Sequence, residues 1–398
     1  MVKKTKITIL NQYFYPENIT SATLPYELAK ELTTNGYDVK ALAGMPQEYY
    51  KGKIKKNDNI DGISIERIDY LYKDRSSAFG RFVNYFSFFF AILANRKKLR
   101  NTDILITYSS PPINPIIPAC FSKRYGFRMV YIIYDLYPDM AYKFGYLSKK
   151  GLVTAIFNAV NKFVFKRCEK IVLLSEDMRQ YFAKNKGFAD KLVVIPNWYE
   201  DTGVIEKQED KDCLNVLYGG NIGIVQDVNT LSDGIISLRD RKDIQFYFAV
   251  HGSVVDGFFE KIKNGHAKTV KNLGFLQKDE YDKLLESVDI AVVSLDSRVL
   301  GLASPSKFYS YISKGIPVIF IGSEEMDVAK EIIKYNIGFV VKNGDKNGLR
   351  DALLSARTNK SMLNEMGIRA RGLFEKKYTE KKCAKQYVSV IKNIEKNK

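Results

Sequence analysis

The chain has 398 residues, 45% of them hydrophobic and 27% charged, which describes a globular protein too long for one ordinary core and suited to two domains. Four scattered cysteines without a C-x-x-C pair, and only two histidines, His251 and His266, argue against a disulfide framework, a zinc cluster and a Ser-His triad. The formal net charge of +17 is uneven, +13 over residues 1–200 and +4 over residues 201–398, so an anionic partner is expected to meet the first half.

The chain opens on "MVKKTKITILNQYF", a basic start whose apolar run is only a strand, so no leader peptide is expected. No window approaches the roughly 18 uncharged apolar residues of a spanning helix. With the unpaired cysteines, this predicts a reducing cytoplasm. The first half then reads as strands "KITIL", "DVKAL", "ISIERI", "DILITY", "RMVYII", "KIVLL" and "KLVVI", nearly all followed by a helical pattern.

Between the third and fourth of these strands lies "FGRFVNYFSFFFAILANRKKLR", Phe79 to Arg100. On a helix its apolar residues fill almost the whole circumference, leaving a narrow stripe around Asn84, Ser87 and Ala91, so it must be buried in protein or in lipid. No acid occurs from Arg75 to Thr102, while Arg81, Arg96, Lys97, Lys98 and Arg100 bracket the aromatic run. Aromatic bulk flanked by cations suits an anionic membrane surface. A core helix on the first sheet is the plainer alternative.

From Ile195 to Cys213 the chain is polar and without periodicity, as a linker is. Its D-x-D triplet, Asp210 to Asp212, precedes a strand and reads as solvated charge, so no metal site is expected. The second half continues with "LNVLY", "IQFYFAV", "DIAVVSL", "IPVIFI" and "IGFVV". Strands of this kind alternating with helices predict α/β architecture: two Rossmann-like, doubly wound parallel sheets facing a central cleft. The domains are expected over 1–199 and 200–377, with a final helix over about 378–398 packing back on the first.

Ligands of such sheets bind at the carboxyl ends of the strands. Two turns of the second half sit there: "YGGNIGIVQD", Tyr218 to Asp227, and "SPSK", Ser304 to Lys307. Glycines let backbone approach a phosphate closely. In the second turn Ser304 suits a helix N-cap and Pro305 the first helical position, so Ser306 and Lys307 would add a hydroxyl, N–H groups and a positive charge at one point. A capped core helix and a diphosphate seat both fit the second turn alone; the glycine turn favours the seat.

At these residues the sequence resembles the family-4 retaining glycosyltransferases of the GT-B fold, in particular bacterial enzymes of capsule, O-antigen and exopolysaccharide biosynthesis. The resemblance rests on an ordered set: "NQYFYPENITSATLPYELAKELTTNGYDV", "YDLYPDM", "IPNWYED", "YGGNIGIVQD", "LGFLQKDEYDKLLESVDIAVVSL" and "SPSKFYSYISKGIPVI". It implies that the second domain binds a nucleotide sugar, most simply a UDP-sugar, through Gly220, Asn221, Gly223, Gln226 and Ser304, Pro305, Ser306, Lys307 and Ser310. It implies that Asp135 faces the transferred sugar and that Tyr15, Thr20 and Ser21 lie near the acceptor, a lipid-linked (polyprenyl diphosphate) saccharide. The enzyme would retain anomeric configuration, need no cofactor or metal, and work at the inner membrane face.

Two departures stand out. The first strand-to-helix loop, "ENITSAT", lacks the family's Gly-Gly pair, and the family's two glutamates align with Leu302 and Ser310. Losing one charged hydrogen bond to the ribose, about 1.5–3 kcal/mol, weakens donor binding without necessarily abolishing it, and Ser310 offers a neutral substitute. An inactive partner of an active transferase, and a sugar-nucleotide epimerase, are the competing readings. The scarcity of histidine disfavours the epimerase. No nucleic-acid module is present to give the basic charge that meaning.

Overall fold

The computed structural model describes residues 4–47, 50, 52–74, 77–204 and 213–396. Residues 205–212, with the Asp210-to-Asp212 triplet, and Arg75 lie outside them. The chain forms two compact units: Met1–Asn197 with Gly301–Ser304 and Glu380–Lys398, and Trp198–Leu300 with Pro305–Thr379.

The first unit is built on β1 Lys6–Asn11, β2 Asp38–Gly44, β3 Asn57–Ile60, β4 Ile63–Ile68, β5 Ile104–Tyr108, β6 Arg128–Ile133, β7 Cys168–Leu173 and β8 Leu192–Val194, in the order β3-β4-β2-β1-β5-β6-β7-β8. All neighbours are parallel except β3, which runs antiparallel to β4. The seven strands expected from sequence are present. The eighth, β3, is too polar to show apolar periodicity, but Asp61-Gly62 after it have positive φ (53° and 76°), the two-residue turn of a tight hairpin. Every residue of β5 is buried, because helices cover both faces of the sheet.

Its helices are α1 Thr20–Thr34, α2 Ala78–Ala94, α3 Ile116–Tyr125, α4 Asp139–Lys143, α5 Leu152–Arg167 and α6 Glu176–Lys186. Helix α2 is covered by protein on one side only. Its polar stripe is the inward one: Asn84 is buried, with its amide paired to both backbone groups of Lys73 at 2.7 and 2.8 Å, and the Ser87 hydroxyl donates to Leu71 O at 2.7 Å. Phe88 and Ile92 are buried beside that stripe, whereas Phe79, Phe82, Phe86 and Phe90 are exposed on the opposite side. The helix is therefore not buried all round. Its inward polar groups satisfy the extended Leu71–Lys73 segment, which has no strand partner there.

The second unit has β9 Leu214–Asn221, β10 Ile244–His251, β11 Val270–Asn272, β12 Ile290–Ser294, β13 Val318–Ile321 and β14 Gly338–Val341, ordered β11-β10-β9-β12-β13-β14 and all parallel. Its helices are α7 Val228–Ser237, α8 Val255–Asn264, α9 Lys278–Glu286, α10 Lys307–Ser313, α11 Asp327–Tyr335, α12 Lys346–Thr358 and α13 Lys360–Lys377. Helix α14, Glu380–Lys396, returns to the first unit beside α1, where Tyr37 donates to Glu395 and Arg128 to the Ile394 carbonyl. The two sheets are Rossmann-like. Among the described residues no helix is long and apolar enough to cross a membrane.

Candidate functional site

In the second unit β9 runs on through Gly219, Gly220 and Asn221, paired with β10, so the expected glycine turn after the strand opens only beyond Asn221, at the carboxyl edge of the sheet. Gly220 has φ +83°, and a Cβ there would overlap Cε and Nζ of Lys307. The end of β9 and the lysine, 87 positions apart in the chain, are therefore in direct contact, with glycine required at the point of contact. Gly219 donates its N–H to the Tyr311 hydroxyl at 2.9 Å, and a Cβ at Gly219 would overlap the Tyr281 hydroxyl. Two tyrosines from α9 and α10 thus brace this end of β9 from behind. The sequence offered only their helical positions, and no motif marks them.

Gln226 closes the turn instead of reaching outward, its Oε1 accepting from Gly223 N at 2.8 Å. Asp227 caps α7 by accepting from Thr230 N at 3.0 Å and also accepts from Asn343 at 2.7 Å. Asn221 is exposed, and its register partner His251 ends β10. His251 packs edge-to-face on Phe275. Burial, then the neighbouring Lys307, lowers its pKa. This imidazole was not singled out as a site residue from sequence, although the carboxyl end of a strand is the signal that would have found it.

Lys307 is partly buried and makes no ion pair among the described residues; desolvation alone lowers its ammonium pKa to about 8. An unneutralised cation beside a glycine turn is a place where an anion is stabilised. The helix start differs from expectation. Helix α10 begins at Lys307, preceded by Ser306 as its N-cap without a side-chain cap bond, so Ser304 is not the cap nor Pro305 the first helical residue. Ala303 is still paired as an extended bridge, and Ser304 precedes proline, which disfavours helical backbone. Ser310 is 6% exposed, and its hydroxyl donates to the Lys307 carbonyl at 2.9 Å.

In the first unit Asp135 follows β6. The Ser109 hydroxyl oxygen accepts from Tyr134 N at 2.9 Å and Asp135 N at 3.3 Å. Asp135 also bridges Ala303, and Leu136 N donates to Leu302 O at 3.0 Å. Leu302 is fully buried. A glutamate at that position would be buried with it, which gives the apolar residue a packing reason. Gly301, at φ +75°, donates to the Asp177 carboxylate at 3.1 Å and lies where a Cβ would meet Tyr181. The Asp135 side chain is open to solvent, yet surrounding protein reduces its hydration and raises its carboxyl pKa to about 6.

Four residues on, Asp139 is wholly buried and holds the loop in place, accepting from Lys186 at 2.6 Å, Tyr142 at 2.8 Å and Tyr181 at 2.9 Å. Tyr15 is exposed, stacked on Tyr26 at 4.6 Å, and its carbonyl accepts from buried Arg67 at 3.0 Å. Thr20 and Ser21 open α1, and the Ser21 carbonyl accepts from Asn11 at 2.6 Å. Asp135 and the Tyr15–Ser21 loop share the carboxyl edge of one sheet. No group of metal-ligating side chains occurs among the described residues.

Residues 21–202, nearly all in the first unit, match the profile of Glycosyltransferase Family 4. Over those residues, just under half of the chain, the sequence is similar to the family-4 glycosyltransferases. A curated relative, the probable glycosyltransferase WbjE of Pseudomonas aeruginosa, is 20% identical over 307 residues, 75% of this chain and 76% of that protein. Among solved structures, sucrose-phosphate synthase from Thermosynechococcus elongatus superposes with TM-score 0.74 at 12% identity, covering 99% of this chain and 100% of that one. Anabaena HepE in complex with UDP and glucose gives 0.71 at 12% identity, covering 98% and 100%. These likenesses carry the GT-B fold.

Proposed function

We propose that the protein is a glycosyltransferase that moves a sugar from a nucleoside diphosphate, most simply UDP, to a lipid-linked or growing glycan, with retention of configuration. The observation that carries the donor side is the unpaired Lys307 ammonium resting on Gly220, a preorganised positive site for a departing diphosphate. HepE, of the same fold, is named as a complex with UDP and glucose, which supports the reading. Lys307 stabilises the charge that develops as the sugar leaves, while the Gly219 and Gly223 N–H groups are already engaged by Tyr311 and Gln226. Asp135 orients the acceptor hydroxyl, accepts its proton or offsets positive charge on the transferring sugar. The acceptor is a polyprenyl-diphosphate saccharide of capsule, O-antigen or exopolysaccharide type. The protein works peripherally at the inner membrane face, and Phe79–Arg100 contacts anionic lipid through its outward side.

Calorimetry with a panel of nucleotide sugars, followed by hydrolysis and transfer assays, tests this. Failure to bind any of them would favour a catalytically inactive partner. That second reading draws on Leu302 and Ser310, buried and uncharged at the two positions where the family resemblance implies glutamates.

A further inference from the structure

Among the described residues, eight of the eighteen exposed large apolar side chains lie on two helices, α2 and α5. On α2 these are Phe79, Phe82, Phe86 and Phe90, whose spacing of three and four places them on one stripe. On α5 they are Leu152 at 77%, Val153 at 52%, Ile156 at 55% and Phe163 at 36% exposure, also along one side. Thr154, Val164 and Phe165 are the buried side of that helix. Both helices pack against α3, so they lie in the same layer of the first unit.

The charge around α5 repeats that around α2. No acidic residue occurs from Met140 to Cys168, while Lys143, Lys149, Lys150, Lys162, Lys166 and Arg167 do. All but Arg167, whose guanidinium lies over Phe163, are exposed. Exposed apolar stripes of this extent mark a docking surface, and their acid-free, cationic surroundings match an anionic bilayer better than a protein of ordinary surface charge. The inner sides of both helices reach the Asp135 loop. Asn161 of α5 donates to Tyr137 O at 2.7 Å, and Arg81 and Tyr85 of α2 act electrostatically on the Tyr137 hydroxyl, two residues beyond Asp135.

We propose that α5 is a second membrane arm, inserting Leu152, Val153, Ile156 and Phe163 into the interface of an anionic bilayer alongside the outer stripe of α2. Two arms flanking Tyr137 present the Asp135 loop to the headgroup layer, where a lipid diphosphate lies. The inference rests on the reading of the first unit as membrane-facing and adds the element that fixes its orientation.

Sedimentation of the full chain with phosphatidylglycerol–phosphatidylcholine vesicles, against phosphatidylcholine alone, tests it without recourse to transfer activity. Leu152→Ser with Ile156→Ser is expected to lower vesicle affinity at least tenfold with an unchanged thermal melt. Lys162→Gln and Lys166→Gln are each expected to lower it roughly fivefold at low salt, with no effect on neutral vesicles. As a reading independent of those variants, Leu152→Trp is expected to shift its indole emission to the blue on anionic vesicles and to be quenched by brominated lipid. Parent-like binding by the α5 serine and glutamine variants, together with unshifted emission from Leu152→Trp, would overturn the second arm while leaving α2 standing. A parent that ignores both vesicles would overturn both arms and leave the donor reading untouched. A lipid-free dimer that shields position 152 would also overturn it, in favour of a second copy of the chain.

Discussion

Lys307→Met is the most direct test of the donor seat, because methionine keeps an unbranched stem against Gly220 and removes only the charge. A charge-assisted hydrogen bond to phosphate is worth about 1.5–3 kcal/mol, so the nucleoside-diphosphate Kd should rise by about 10–150-fold. The fold should not suffer. The parent ammonium is desolvated without a counterion, which already disfavours its charged form, so the variant's melting temperature should match or exceed the parent's. The pH dependence has a definite sign. With its pKa lowered to about 8, Lys307 is an ammonium below that pH and neutral above it. Affinity of the parent for UDP should therefore fall as pH rises through about 8, and the methionine variant should lose that dependence. Calorimetric titration across pH 6 to 9 reads both effects. Equal affinity in parent and variant, or the same alkaline loss in both, would refute the reasoning.

Asp135→Asn should cut turnover heavily with donor affinity nearly unchanged, the pattern of a contact made in the transition state. Since the parent carboxyl is raised to about 6, its activity should rise as pH increases through that value, and the asparagine variant should lack this limb in a pH–rate profile. Asp139→Asn leaves the half-buried Lys186 ammonium without its counter-ion, with only Asn158 as partner, and should cost about 3–5 kcal/mol, a fall in Tm of roughly 6–20 °C by calorimetry. Exhaustive chelation should leave sugar transfer intact, as measured by product formation with and without EDTA; strict dependence on magnesium or manganese would count against the Lys307 mechanism.

Much of the architecture is legible in local pattern. Runs such as "ILITY" and "IAVVS" are buried on both faces, so their near-continuous apolar character announces a parallel sheet without knowledge of its neighbours. The carboxyl ends of those strands then indicate Gly220, Asp135 and the Lys307 region as ligand edges. What lies beyond is decided by partners distant in sequence. The Gln226 amide closes on Gly223 and the Ser310 hydroxyl bonds within its own helix, contacts that no local pattern announces. The helix after "SPS" starts late because Ala303 is held extended against Asp135, a pairing across 168 positions.

Helix α2 shows the same division. Periodicity located a narrow polar stripe on it, yet which side faces the protein depends on an irregular segment, Leu71–Lys73, that needs Asn84 and Ser87 for its backbone bonds. The apolar side is left outward as a result. Residue order alone was enough for two α/β sheets and most of their strands, because these follow from hydrophobic period and turn chemistry along short stretches of chain. The contact of Lys307 with Gly220, the environments of Asp135 and Asp139, and the outward faces of α2 and α5 emerge only from the folded chain, since hydration and pairing depend on which remote atoms the fold brings within reach.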